Sequence, residues 1–175
     1  MKKSVLALLL LMGGGLAASA QAQAQEVTLH KVSAEGIGEA IGTIDIEQTT
    51  YGLQLTPKLS GLTPGVHGFH VHASGSCEPA VSEGKKVAAG AAGGHLDPQK
   101  TGKHLGPYAE GHLGDLPAIY VDDKGNATYP VLAPRLKSLD EIKGKALMVH
   151  IGGDNHADHP LPLGGGGGRY ACGVI

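Results

Sequence analysis

The 175-residue chain carries 14 Lys and Arg against 16 Asp and Glu, a net charge of −2 with its ten histidines neutral. That length suits a single domain able to build a core without a metal to fold around. A balanced, slightly acidic composition offers no basic patch for nucleic acid, and no basic amphipathic stretch suits a membrane surface.

The chain opens with Lys2-Lys3, an apolar run over 5–12, and small residues ending Ala18-Ser19-Ala20. A basic start, a short apolar segment and an A-x-A site predict a secretory signal peptide over 1–20, with Ala22 and Ala24 as further cleavage sites. The apolar run falls well short of the ~20 residues a membrane-spanning helix needs. Removal of 1–20 takes both lysines and leaves 12 basic against 16 acidic residues, a net −4. The polar stretch 21–26 is expected to be flexible, and 27–175 to form the domain. Two cysteines, Cys77 and Cys172, then enter an oxidising space. A bridge between them would close a long loop and stabilise by ~4–5 kcal/mol in the chain-entropy model; two free buried thiols are the alternative.

From 27 onward apolar residues alternate. Val27, Leu29 and Lys31 share one side, Ile44 and Ile46 another, and Tyr51, Leu53 and Leu55 a third. Period-2 segments punctuated by Gly, Pro, Asn and Asp, as at Thr63-Pro64-Gly65, predict short antiparallel strands. A further buried strand is expected over 145–151. Helical periodicity is confined to Ser138-Leu139-Asp140-Glu141, a capping-box pattern that Gly144 ends after a turn. Two long stretches, 74–118 and 152–168, show no strand character. Both adjoin histidines, which marks them as functional loops. Many short strands make an antiparallel sandwich or barrel the expected architecture.

Seven of the ten histidines fall between His67 and His150. His70 and His72 are two apart, so on a strand both rings face one way and can chelate one ion. His67 is better read as hydrogen-bonded to backbone. His95, His104, His112 and Asp115 lie in a Gly- and Pro-rich loop; three imidazoles and a carboxylate would close a tetrahedral zinc shell of the structural type. Solvated loop histidines are the alternative. His150, on an apolar strand, is either a satisfied core residue or a ligand whose neighbours complete a metal site.

The strings Gly68-Phe69-His70-Val71-His72, Gly94-His95, Gly111-His112-Leu113-Gly114-Asp115-Leu116 and Arg169-Tyr170-Ala171-Cys172-Gly173-Val174-Ile175 resemble copper/zinc superoxide dismutases. The resemblance implies an all-β, flattened Greek-key antiparallel barrel or sandwich with two long functional loops. It implies one copper on His70, His72, His95 and His150, and one zinc on His95, His104, His112 and Asp115, with His95 bridging. Asp154 is implied to link His70 to His104, Cys77 to pair with Cys172, and Arg169 to act beside copper, where with His95 it serves catalysis. The implied activity is dismutation of superoxide to dioxygen and hydrogen peroxide by copper redox cycling, with zinc structural. A non-catalytic copper/zinc buffer or delivery module is the other reading. Ala91-Ala92-Gly93-Gly94-His95, Gly152-Gly153-Asp154-Asn155 and the glycine run 164–168 resemble the secreted bacterial branch, which implies the periplasm. A homodimer is allowed, and the sequence does not choose between it and a monomer. Lys85 and Lys86, in the loop leading to His95, are candidates for steering the superoxide anion.

Overall fold

Alternating apolar residues build one long curled sheet in the computed structural model, which describes residues 24–175. The expected signal peptide lies outside the described residues. The strands are β1 (Ala24–Val32), β2 (Ile37–Thr49), β3 (Gly52–Leu59), β4 (Gly65–His67), β5 (Phe69–His72), β6 (Ala80–Ser82), β7 (Lys85–Val87), β8 (Ile119–Val121), β9 (Val131–Ala133), β10 (Ala146–His150) and β11 (Arg169–Val174). Seven of them run antiparallel in the order β5-β10-β11-β1-β2-β3-β9, with β4-β8 and β6-β7 as separate pairs. After β3 the chain crosses to the far edge and sets β5 beside β10. That crossover gives the barrel its Greek-key character.

The core follows the predicted alternation. Val27, Leu29, Ile44, Ile46, Leu53 and Leu55 are all fully or almost fully buried, each contributing roughly 1.5–3 kcal/mol of transfer free energy. Lys31, near the end of β1, instead reaches out to Glu39 at 2.8 Å. Tyr51 does not share a side with Leu53. It sits in the β2–β3 turn and is 74% exposed, because the turn ends the alternation one residue before β3 begins.

Two expectations are corrected. Residues 24–26 are not a flexible lead-in: Ala24, Gln25 and Glu26 pair with Glu47, Ile46 and Asp45. The 13-residue β2 is long enough to template them, so pairing overrides a weak local sequence. The stretch 74–118 also holds a β6–β7 hairpin, turned at Glu83 (φ 50°) and Gly84 (φ 76°). The capping box is present as predicted. Ser138 accepts from the Asp140 amide and Glu141 accepts from the Ser138 amide, on a single 3₁₀ turn, Leu139–Glu141.

The free edge of β5 is completed by loop backbone. Leu96 N donates to Val71 O (2.8 Å), Val71 N to Gly114 O (2.9 Å) and Ala73 N to Gly94 O (2.9 Å). The histidine loop is therefore fastened along β5 like an irregular extra strand, with bridges at His70↔Asp115 and His72↔His95.

Candidate metal centre

Strand alternation divides β5 into two roles. Phe69 and Val71 enter the core cluster, so His70 and His72 face the opposite side, where the loops cover them. β10 repeats the division: Leu147 and Val149 are core, while Met148 and His150 share the other parity. Pairing of Met148 with His70 brings these outward faces together.

Hydrogen bonds to one ring nitrogen of each histidine reveal which nitrogen stays free. His72 Nδ1 donates to Gly93 O (2.9 Å) and His150 Nδ1 to Gly167 O (3.2 Å). Their Nε2 lone pairs consequently face each other at 3.3 Å. His70 Nε2 donates to Asp154 Oδ2 (2.7 Å), leaving a buried Nδ1 with no partner. His95 Nε2 is likewise buried and unpartnered. One ligand atom from each of His70, His72, His95 and His150 fits within 4.8 Å.

On the other side of His95, its Nδ1 lies 2.9 Å from Asp115 Oδ1. His104 Nδ1 is 3.0 Å from Asp115 Oδ2, yet neither atom has hydrogen-bond geometry. His112 Nδ1, 3.4 Å from Asp115 Oδ1, is also without a partner. The tight group on this side contains His70, His95, His104 and Asp115, with His112 at its margin. His70 has a single free nitrogen and can serve one ion only, which leaves His112 as the natural fourth donor here. Five buried, unpartnered atoms converging on one place are rare in folded proteins, and cations would satisfy them all. Four imidazoles on one side suit copper; three imidazoles and a carboxylate on the other suit zinc.

The electrostatics agree. Burial holds His70 down to about 3, His72 to about 2 and His150 to about 4, so all three present lone pairs at neutral pH. Burial also pulls on His104, but Asp115 and Asp154 outweigh it and hold it up at about 9. Burial would raise both carboxyls; the imidazoles of His104 and His95 close to Asp115, and the bonds from His104, His70 and the His156 amide to Asp154, keep both well below the usual range instead.

Asp154 joins the halves. Its Oδ2 accepts from His70 Nε2 and its Oδ1 from His104 Nε2 at 2.8 Å, which fixes both rings and their tautomers. His67 behaves as read from the sequence: its Nδ1 meets His150 O (2.7 Å) and its Nε2 meets Thr63 O (2.8 Å). Cys77 and Cys172 form a disulfide with Cα atoms 5.7 Å apart.

Arg169 reaches the site through a bulge. His150 pairs with Arg169 while Val149 pairs with Ala171, so Tyr170 is the extra residue. Tyr170 and Ala171 both pack on the core, and Arg169 is turned to the histidine face, as bulges beside active sites commonly do. Its guanidinium donates to Ala89 O and Gly93 O, both at 2.5 Å. Gly93 O also accepts from His72, and the Arg169 charge helps depress His72 and His150. Beside it lies a cavity of about 390 Å³ lined by the hairpin residues Ala80, Val81, Ser82 and Val87 and by Gly90, Gly93, Gly94 and Arg169. Lys85 and Lys86 lie on that hairpin and are exposed, but neither lines the cavity.

Asp158 escaped the sequence reading, and Gly164 was noted there only as the start of a glycine run. Asp158 Oδ2 accepts from the His104 amide (3.0 Å) and its Oδ1 from the Leu163 amide (3.2 Å), tying the two loops together. Gly164 lies so close to Asp154 that an added Cβ would stand 2.0 Å from Oδ1. Asp158 has no local motif, and the glycine run does not itself reveal the Asp154 contact; both act through contacts with other segments.

The copper/zinc superoxide dismutase (SODC) family model matches residues 40–175. The chain is 59% identical to the copper–zinc superoxide dismutase 2 of Salmonella typhimurium over 175 residues, covering 100% of this chain and 99% of that relative. Among solved structures, the copper/zinc superoxide dismutase of Brucella abortus superposes with a TM-score of 0.86 at 49% identity, over 87% of this chain and 99% of that one. The monomeric copper, zinc superoxide dismutase of Salmonella enterica superposes with a TM-score of 0.79 at 62% identity, again over 87% and 99%. With two donor sets meeting at one histidine and these matches over the domain, the chain belongs to the copper/zinc superoxide dismutase family.

Proposed function

We propose that this protein dismutes superoxide to dioxygen and hydrogen peroxide, with His70, His72, His95 and His150 holding copper and His95, His104, His112 and Asp115 holding zinc. The observation that carries this reading is the shared His95, flanked by two donor sets whose free atoms are buried and unpartnered. Bound copper supplies the one-electron redox couple, and zinc supplies a fixed charge that is not redox-active. The protein's own work is placement. Arg169, pinned to Ala89 O and Gly93 O, has guanidinium N–H groups left to hold a small anion at the cavity it lines with Gly93 and Gly94. His95 Nε2 has no protein partner, so it would hold copper, and whenever it is not ligating its lone pair is free to hold a proton for the peroxide product. Asp154 and the Gly93 and Gly167 carbonyls keep the other rings in the ligating tautomer.

A metal buffer or delivery module would need the same ligands but no anion-holding arginine, and the bulge that re-aims Arg169 favours catalysis. The predicted leader, together with the resemblance to the secreted bacterial branch, supports a periplasmic location. A homodimer would use the exposed β4–β8 face, where Val66, Tyr120 and Tyr129 are each more than half exposed; sedimentation at micromolar concentration separates it from a monomer. The functional test pairs metal analysis with a dismutation assay on one sample of periplasmic protein. Copper and zinc near one each with rapid dismutation is expected, and Arg169→Glu should lower kcat/KM by about 10–10³-fold, the range over which focused charge alters association. Full metal loading without turnover would favour the buffer.

A further inference from the structure

The zinc half depends on a loop with no regular secondary structure, so something must hold the His112–Asp115 turn in place before an ion arrives. Within the turn, the Asp115 amide approaches His112 O at 3.4 Å, a weak closure. His112 N donates to Lys103 O at 2.9 Å, which fixes only the upstream side. The downstream side is tied by Gly114, whose amide donates to Leu96 O and whose carbonyl accepts from Val71 N, both at 2.9 Å, and the carbonyls at the head of the turn are held by a side chain from outside the loop. Arg135 donates through Nη1 to His112 O and through Nη2 to Gly111 O, both at 3.0 Å. A guanidinium fork spanning two successive carbonyls restrains both position and tilt of the peptide between them. Among the described residues no carboxylate pairs with Arg135, so its fork is committed to the loop.

The base of Arg135 is rigid. It follows β9, and the next residue, Leu136, is buried and accepts from Leu53 N at 3.0 Å through its carbonyl. Gly111 and His112 are themselves buried, so their carbonyls depend on Arg135 rather than on bulk water.

We propose that Arg135 is a positioning residue for zinc: it anchors the Gly111–His112 backbone to the barrel so that His112 and Asp115 present their donors to one ion. This rests on the zinc ligand set proposed above. Removing the fork should weaken zinc binding by about 10–100-fold, as losing an outer partner of a metal ligand generally does, and leave the copper half nearly untouched.

The experiment measures zinc affinity by competition with a chromophoric chelator, and melting temperature with and without zinc, for full-length wild type, Arg135→Met, Arg135→Lys and His112→Ala. Copper affinity is measured in parallel. The expected result is a selective loss of zinc affinity in Arg135→Met, a smaller loss in Arg135→Lys, whose ammonium can reach one carbonyl but not bridge both, and a narrowed gap between zinc-loaded and zinc-free melting temperatures. Equal drops in both melting temperatures with unchanged zinc affinity would make Arg135 a general prop and overturn the proposal. If Arg135→Met does not fold, Arg135→Lys decides: zinc affinity within twofold of wild type overturns it. Zinc loss in His112→Ala but not in the Arg135 variants refutes Arg135 alone. Wild-type zinc affinity in His112→Ala refutes the ligand set, and the proposal with it.

Discussion

Gly164→Ala should damage both metal sites without touching a ligand. Gly164 has φ +73°, and a Cβ there would lie 2.0 Å from Asp154 Oδ1 and 2.8 Å from His104 Nε2. No rotamer of alanine relieves this, because Cβ is fixed by the backbone. The left-handed conformation costs about 1–2 kcal/mol for a residue with a side chain. Displacing Asp154 Oδ1 sacrifices at least one of its bonds from His104 Nε2 and the His156 amide, each worth about 1.5–3 kcal/mol as a bond to a charged group. The total is ~3–5 kcal/mol, a drop in melting temperature on the order of 10 °C for a domain of this size. Gly165→Ala separates the two effects. Its φ is +81°, but the nearest atoms to an added Cβ stand 3.7 Å away on Leu161, so only the backbone term applies and the drop should be about 2–8 °C. Calorimetry with metal analysis of both variants reads the difference. Equal shifts and equal copper and zinc contents would refute a tight Gly164–Asp154 contact.

The remaining expectations concern protons and charge. His104, held up at about 9 by Asp115 and Asp154, must lose a proton before its Nδ1 can take zinc. Zinc affinity should therefore fall by up to about tenfold per unit as pH drops below 9, while His70, His72 and His150, already neutral above about pH 4, add no such slope on the copper side. In zinc-stripped protein the raised His104 value adds stability in full below its unfolded 6.5, lost as pH rises through about 9. The depressed copper-side values act oppositely, adding stability above 6.5 that is lost as pH falls through about 4 for His150, about 3 for His70 and about 2 for His72. Chelator competition over pH 6–9 tests the binding slopes, and parallel slopes for the two metals would contradict them. For Lys85→Glu with Lys86→Glu, stopped-flow dismutation should slow several-fold at low ionic strength and converge on wild type as salt shortens the screening length to about 8 Å. A wild-type rate at low salt would assign steering elsewhere.

What was legible in the chain was local. Alternation placed Val27, Leu29, Ile44 and Ile46 in the core, and the spacing of His70 and His72 placed both rings on one face, because strand parity is a property of neighbouring residues. The capping box at Ser138 and Glu141 was readable for the same reason. The β6–β7 hairpin passed unseen although Glu83-Gly84 is a turn signal, since its arms are three residues each and carry little apolar pattern. Strand pairing of 24–26 was hidden because its stabilising partner, the end of β2, lies some twenty residues away. Gly164, Asp158 and Arg135 matter only through approach between segments that the sequence keeps apart.

Arg169 shows how the local and the distant combine. Plain alternation along β11 would put Arg169 on the core side with Ala171, where a guanidinium has no water and no carboxylate. The one-residue bulge at Tyr170 reverses that parity for Arg169 alone and leaves Ala171, Cys172 and Val174 in register with β10. Tyr170 becomes the residue that packs on the core, its hydroxyl reaching Gly61 O at 3.3 Å. The irregularity thus lets one strand serve two neighbours: its regular half closes the barrel and carries the disulfide, and its displaced first residue holds a charge against the histidines. Cys172 lies only three residues on, and its bridge to Cys77 tethers the segment whose Ala89 and Gly93 carbonyls receive that arginine. The barrel, the covalent link and the Arg169 guanidinium are therefore one mechanical unit, and the position of the charge is set by backbone register.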